Sequence, residues 1–488
     1  MNRNQSQNPS WHGRPAHVGP PLNTGKMPVP LVALLLALAG CKVGPNYQTP
    51  ATATPDHWPA ATQAASQPSV TTPQPLQNAQ WWSTFNDAQL TALVQSAIAG
   101  NLDLRIAAAR VLQARSSRGV AAAGLFPTLD TSANATRSRV PVPGGGVTGN
   151  AFLAGFDAAW EMDVFGGVRR NIEAADADTI GKIESLRDVQ VTLAAEVATN
   201  YITLRALQEE LRIAEENLAD DRSNLELTQK RFAGGLVGKL DVSNAQAQVA
   251  TTESQIPAIR SSIQQTIYAL GVLLGQQPEA LTEKLAAAGP IPTAPAVVPI
   301  GLPSDLLRRR PDIRAAEAQI HGATARIGVA TADLFPKLSL TGDLSFSSAT
   351  LTSFANWNNR AWSVGPAATW NIFDAGRIAN NIDLQKELRD ESVLTYQKTV
   401  LTAFQEVDAA LAAYGNEQVR RESLANAVEA NKQALDFAQQ LYKEGHTDFL
   451  NVLSAQRSLL SSRESLAQSQ RDIANDLVAL YKALGGGW

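Results

Sequence analysis

The chain has 488 residues, 44% of them hydrophobic and 18% charged, with a net charge of −4 at pH 7. This composition excludes a disordered polymer, and the absence of a basic stripe excludes nucleic acid as the main partner. A single cysteine excludes an internal disulfide, and five scattered histidines with no pair at ligand spacing point to no metal centre and no cofactor.

The chain opens with one strongly apolar run, Val29–Ala39, preceded by Lys26 and closed by Leu38-Ala39-Gly40-Cys41. A helix needs roughly 20 apolar residues to span a bilayer, so this shorter run reads as a secretory signal over residues 1–40. Cys41 directly after Leu-Ala-Gly resembles a bacterial lipoprotein processing site; the other reading is a buried free cysteine behind an ordinary signal. Residues 1–25 are long and polar for a signal, and Met27 is a second possible start. A mean hydropathy of −0.13 excludes a bundle of membrane-spanning helices.

Residues 41–75 and 276–303 are proline-rich and read as extended linkers, the first carrying the anchor. They precede two copies of one pattern, 76–275 and 304–488. Leu125-Phe-Pro127 recurs as Leu334-Phe-Pro336, and Asn101-Leu-Asp-Leu-Arg105 aligns with Arg310-Pro-Asp-Ile-Arg314, both at an offset of 209. Phe232-Ala-Gly-Gly235 likewise matches Tyr442-Lys-Glu-Gly445 at an offset of 210.

Within each copy the periodicity predicts a helix, two strands, a very long helix and a shorter one. The expected helices are 89–123, 171–233 and 242–275, then 305–333, 378–443 and 454–484. Pro311 is expected to restart the fourth of these and Pro257 to kink the third. Leu186, Val189, Leu193, Val197, Asn200, Leu204, Leu207 and Leu211, with Val400, Phe404, Val407, Leu411 and Tyr414, are spaced by threes and fours. That is a coiled-coil seam, equally readable as a solvent-exposed dimer.

The expected strands are 127–140, 151–165, 336–347 and 361–373. Phe152, Ala154, Phe156, Ala158, Trp160 and Met162 alternate with Leu153, Gly155, Asp157, Ala159 and Glu161. Trp362, Val364, Pro366, Ala368 and Trp370 alternate with Ser363, Gly365, Ala367 and Thr369. One apolar face and one polar, acidic face over about 9–13 residues is the pattern of a transmembrane barrel wall. A soluble sandwich also alternates, but it needs further β-structure to pack against. Four strands cannot close a pore and open edges are not tolerated in lipid, so several chains must assemble.

The chain resembles the TolC-type outer-membrane efflux channels, in their NodT-like lipoprotein branch. The resemblance rests on Cys41-Lys-Val-Gly-Pro-Asn-Tyr47 with Pro50, Trp81-Trp82, Leu307-Arg-Arg-Arg-Pro-Asp-Ile313, the Phe-Pro strand starts and the paired helix turns. It implies an α+β membrane protein: a homotrimer whose β-barrel, four strands per chain, continues into an α-helical barrel. It also implies an outer-membrane location extending into the periplasm, with Cys41 lipidated, and partnership with a periplasmic adaptor and an inner-membrane pump. The function implied is a passive exit duct for drugs and other small molecules. A duct for type I secretion or metal export shares the fold, and a periplasmic coiled-coil scaffold lipoprotein is the alternative outside it.

No catalytic motif is present in the sequence, so no enzyme is expected. Gly144-Gly-Gly146 reads as an extracellular loop tip. The glycine-bearing turns Gly234–Gly238 and Gly445–Thr447 reverse the long helices. By the resemblance they form the periplasmic tip, with Asp241, Tyr442, Asp448 and Asn451 at the constriction. Gly235, Leu236, Val237, Gly445 and His446 are then the adaptor-docking tip, with Leu236-Val237 as an exposed apolar knob.

Overall fold

The computed structural model describes residues 42–59, 69–74 and 80–488; the signal segment 1–40 and Cys41 lie outside them. The first helical region is two helices, α1 (Ala88–Gly100) and α2 (Leu102–Ala123), rather than the single helix expected over 89–123. The break is chemical. Asn101 sits in extended backbone and its Oδ1 accepts from Leu104 N at 3.0 Å, capping α2. Arg310 likewise sits in extended backbone between α6 (Pro303–Arg309) and α7 (Pro311–Ala332), but without a side-chain cap; there Pro311 takes the first helical position.

Four strands follow the two helical entries: β2 (Thr128–Val142), β3 (Gly145–Met162), β5 (Lys337–Ser348) and β6 (Arg360–Thr369). They form one antiparallel sheet in the order β2-β3-β5-β6. The register aligns Thr131, Phe156, Leu344 and Trp362 in one row, and Asp130, Asp157, Asp343 and Ser363 in the next. Because side chains alternate across a sheet, these rows lie on opposite faces, one largely apolar and one acidic. Pro366 lies on β6, the last strand of the sheet within one chain, opposite Leu340 of β5. Gly144-Gly-Gly146 is narrower than a loop tip: Val142 pairs with Gly145, so Pro143-Gly144 alone makes the turn, with Gly144 at φ 95°.

Strand β6 ends at Thr369, short of the expected 373, because the following residues turn into a helix start. Asp374 accepts from Gly376 N and Ile378 N, at 3.1 and 3.0 Å. The indole of Trp370 donates to Leu334 O at 3.0 Å, as that of Trp160 does to Leu125 O at 2.9 Å, so both tryptophans fasten strand ends.

The long helices are α3 (Gly167–Ala233, 67 residues) and α8 (Arg377–Glu444, 68 residues). At 1.5 Å per residue each extends about 100 Å. Their return partners are α4 (Lys239–Leu273) and α9 (Phe449–Ala483), 35 residues each. Helix α4 runs through Pro257 without interruption. The predicted seam residues Leu193, Val197, Leu204, Val400, Val407, Leu411 and Tyr414 are buried in the main core, while Asn200 instead donates to Glu196 O at a partly exposed position.

Residues 276–303 are not a plain linker. They hold a 3-10 turn at Pro278–Leu281, a short helix α5 (Thr282–Leu285) and a strand β4 (Val297–Pro299). Strand β4 pairs in parallel with β1 (Val70–Thr72), joining the two proline-rich segments to each other. Leu281, Leu285, Val298 and Ile300 are buried against the main core, which explains why this segment is ordered.

Candidate functional site

Both helix reversals use the same backbone device. Gly235 (φ 72°) and Gly445 (φ 82°) take the left-handed conformation after α3 and α8. Leu236 N then donates to Arg231 O at 2.9 Å, and His446 N donates to Leu441 O at 2.8 Å. This is the glycine-closed helix end in which the reversed chain satisfies carbonyls left free by the last turn.

The turns rest on a small apolar cluster of Leu435, Tyr442, Phe449, Val452, Leu453 and Leu459, with Val237 packed against it. Of the expected knob only Leu236 is exposed, at 69%; Val237 turns inward to this cluster. Gly235, Gly445 and His446 are exposed as expected of a tip.

Tyr442 is buried, with its ring 5.7 Å from that of Phe449. Arg231, at the end of α3, lies over that ring at 4.4 Å and donates to Tyr442 O. The Tyr442 hydroxyl has no hydrogen-bond partner among the described residues. Asp241 accepts from Gly238 N at 3.3 Å and caps the start of α4; no hydrogen bond joins it to Tyr442 among the described residues. Asp448 is exposed at the start of α9, and Asn451 donates to Thr447 Oγ1 at 2.7 Å. Asn451 N also donates to Asp448 O at 3.2 Å, at the start of α9. Arg231, in the last turn of α3, thus links that helix to α8 at the tip.

About 12 residues up from the tip, Asp221 is 2% exposed. It accepts from Thr252 Oγ1 at 2.7 Å and Asn217 Nδ2 at 3.3 Å, and burial pushes its carboxyl above the usual aspartate range. Gln248, within reach of the same carboxylate, accepts from Arg457 Nε at 3.0 Å, which ties α4 to α9. Among the described residues no group of three His, Cys, Asp or Glu side chains could hold a metal ion.

Residues 93–276 and 302–486 match the family described as outer membrane efflux protein. The chain belongs to that family. Among curated proteins it is 36% identical over 469 residues to the solvent efflux pump outer membrane protein SrpC of Pseudomonas putida, covering 94% of this chain and 98% of that protein. It is 32% identical over 455 residues to nodulation protein T of Rhizobium leguminosarum bv. trifolii, covering 93% and 96%. Among solved structures, the outer-membrane channel OprN superposes with a TM-score of 0.85 at 38% identity, over 92% of this chain and all of that one. The open state of the Neisseria gonorrhoeae outer-membrane channel MtrE superposes with a TM-score of 0.80 at 29% identity, over 92% and 98%. Outer-membrane residence and a channel-type fold are thus common to the relatives and to this family.

Proposed function

We propose that the chain is the outer-membrane channel of a tripartite efflux pump, a passive exit duct for drugs and other small molecules. The observation that carries this reading is the four-stranded sheet whose two edge strands, β2 and β6, have no partner among the described residues. A sheet with an apolar outer face and free edges cannot stand alone in lipid. Three copies joined edge to edge supply 12 strands, and their acidic faces then line a water-filled lumen. Exposed apolar residues support the same assembly: Ile106, Leu112 and Val120 on α2, and Leu384, Leu388, Leu394 and Leu401 on α8, await neighbouring helices. The duplicated order of elements lets each chain supply two matching hairpins to the wall.

In this assembly the helix turns point into the periplasm. Asp241, Tyr442, Asp448 and Asn451 contribute to the constriction across chains, and Gly235, Leu236, Gly445 and His446 meet the adaptor that recruits the inner-membrane pump. Cys41 carries the lipid. On this reading, selection of the solute belongs to the pump. The names of the relatives, which include pumps for solvents, support this reading.

The test is purification from outer membranes followed by reconstitution. The expected result is a heat-dissociable trimer with strong β-signal that forms low-conductance channels in planar bilayers. A monomer without β-signal or conductance overturns the reading.

A further inference from the structure

The chain just after Cys41 is held by a site that the channel reading does not use. Arg170, near the start of α3, is 1% exposed, an unusual place for a guanidinium. Its Nε donates to Val43 O at 3.0 Å, and its Nη2 donates to Gly44 O at 3.2 Å and to Asn46 Oδ1 at 2.9 Å. Its Nη1 faces Glu173, at 3.1 Å from Oε2. Glu173 also pairs with Lys42 at 3.3 Å. One buried fork thus reads three acceptors of residues 43, 44 and 46, a task for which arginine's planar donors are suited.

Backbone shape fits the same purpose. Gly44 has φ 84°, and a Cβ placed there would lie 2.5 Å from Gly328 Cα on α7. A Cβ on Gly328 would in turn lie 2.8 Å from the Arg170 side chain. The segment therefore crosses α7 glycine to glycine, with Arg170 beneath. Tyr47 closes the far side, stacking on His321 at 4.5 Å and donating to Glu317 at 2.9 Å. At the near side Val43 N donates to Phe165 O at 3.2 Å. Phe165 lies between Met162, the last residue of β3, and Gly167, the first of α3. Its ring stacks at 4.6 Å on Phe335, which precedes β5.

We propose that Arg170 and the Gly44–Gly328 crossing form a dock that locks residues 42–47 onto the junction between the membrane strands and the helices. For its membrane consequence the proposal rests on the reading of Cys41 as the lipid site. A lipid on Cys41 then works as a staple at the barrel rim rather than on a loose tether, because the backbone is held from Val43 on, two residues away. A flexible tether needs none of these contacts. The dock itself belongs to residues 42–47 and does not depend on the lipid.

Chymotrypsin digestion of the full-length trimer tests this, with mass spectrometry of new ends at Gln48. In the wild type the bond after Tyr47 resists cleavage. Gly44→Ala and Arg170→Ala expose it, and cleavage there becomes about tenfold faster while cleavage elsewhere is unchanged, since proteolysis follows the open population. Arg170→Lys keeps the charge, loses the fork and falls between. Equal rates in wild type and Gly44→Ala overturn the proposal; Gly44 lies outside the helices, so this variant decides even where Arg170→Ala fails to assemble. An unmodified Cys41 in the mature protein rejects the lipid reading, whereas slow wild-type cleavage with fast Gly44→Ala cleavage upholds the dock in either case.

Discussion

Arg231 and Tyr442 lie 211 residues apart in sequence, yet the guanidinium of one rests 4.4 Å from the ring centre of the other. They join α3 to α8 at the tip, where, on the proposed reading, the two hairpins separate when the duct opens. A contact of this kind is worth about 0.5–1 kcal/mol when partly exposed. Three copies add to a barrier small enough for a docked partner to overcome. Arg231→Ala is therefore expected to raise single-channel conductance in planar bilayers and vancomycin sensitivity in cells, with trimer abundance unchanged. The double change Tyr442→Ala with Asp241→Ala has the same expected effect. Tyr442→Phe separates the causes. If the ring alone matters, conductance stays at the wild-type level; if it rises as far as in Tyr442→Ala, the hydroxyl is engaged across chains. Wild-type conductance in Arg231→Ala would place the constriction elsewhere.

Leu236 and Val237 are neighbours with opposite environments, and their substitutions should diverge. Leu236 is exposed and touches no core, so Leu236→Asp should leave trimer melting unchanged while reducing adaptor cross-linking and drug efflux. Val237 packs on the tip cluster, so Val237→Asp should destabilise the tip by about 1–3 kcal/mol, read as faster protease cleavage at the turns. Equal loss of adaptor cross-linking with equal protease resistance would mean that both residues form the docking surface.

The parts legible in the sequence were those set by local period. Leu193, Val197, Val400 and Val407 fell on a seam because three-and-four spacing is a property of one helix, and the same residues are buried. The strand faces were legible because alternation needs no partner. The Asn101 break carried its own signal, an N-cap asparagine with Asp103 in the first turn, but the apolar run on both sides outweighed it. Proline content hid the ordered residues Leu281, Leu285 and Val298, whose burial depends on a distant core. Arg170 and Arg231 were not legible at all. Their partners, Val43 and Tyr442, lie far along the chain, and a buried arginine looks in sequence like any other.

Phe156 and Leu344 are directly paired in the apolar row of the sheet, and Asp157 pairs with Asp343 on the other face. Phe156→Arg or Leu344→Arg should each cost roughly 2–4 kcal/mol at the bilayer midplane and lower trimer yield in outer-membrane extracts. Asp157→Ala, on the water-facing side, should leave yield unchanged. Trp370→Arg should act differently from these two, because Trp370 fastens the strand end through Leu334 O rather than sitting at mid-sheet. Indistinguishable yields for Phe156→Arg and Asp157→Ala would show that the facing is reversed or the sheet is not in lipid.

Asp476, on α9, gives this chain a pH dependence whose sign can be worked out. Burial, with Asp472 and Glu417 nearby, pushes its carboxyl up to about 6 from an ordinary 3.8. Arg420 pairs with Glu417 at 2.8 Å and lies 3.9 Å from Asp472, so it offsets part of that repulsion without bonding Asp476. Between the two values the folded chain holds a proton that the unfolded chain has released. Stability therefore falls as pH rises through this window, and the whole penalty is present above about pH 6. Asp476→Asn keeps the shape and removes the charge. The variant trimer is expected to melt roughly 2–4 °C above wild type at pH 7.5, with the difference vanishing below the ordinary aspartate value. Melting followed by circular dichroism across that range measures it. A difference that is the same at every pH would assign the effect to packing, and no difference at neutral pH would mean that the assembled trimer relieves the burial of this carboxylate.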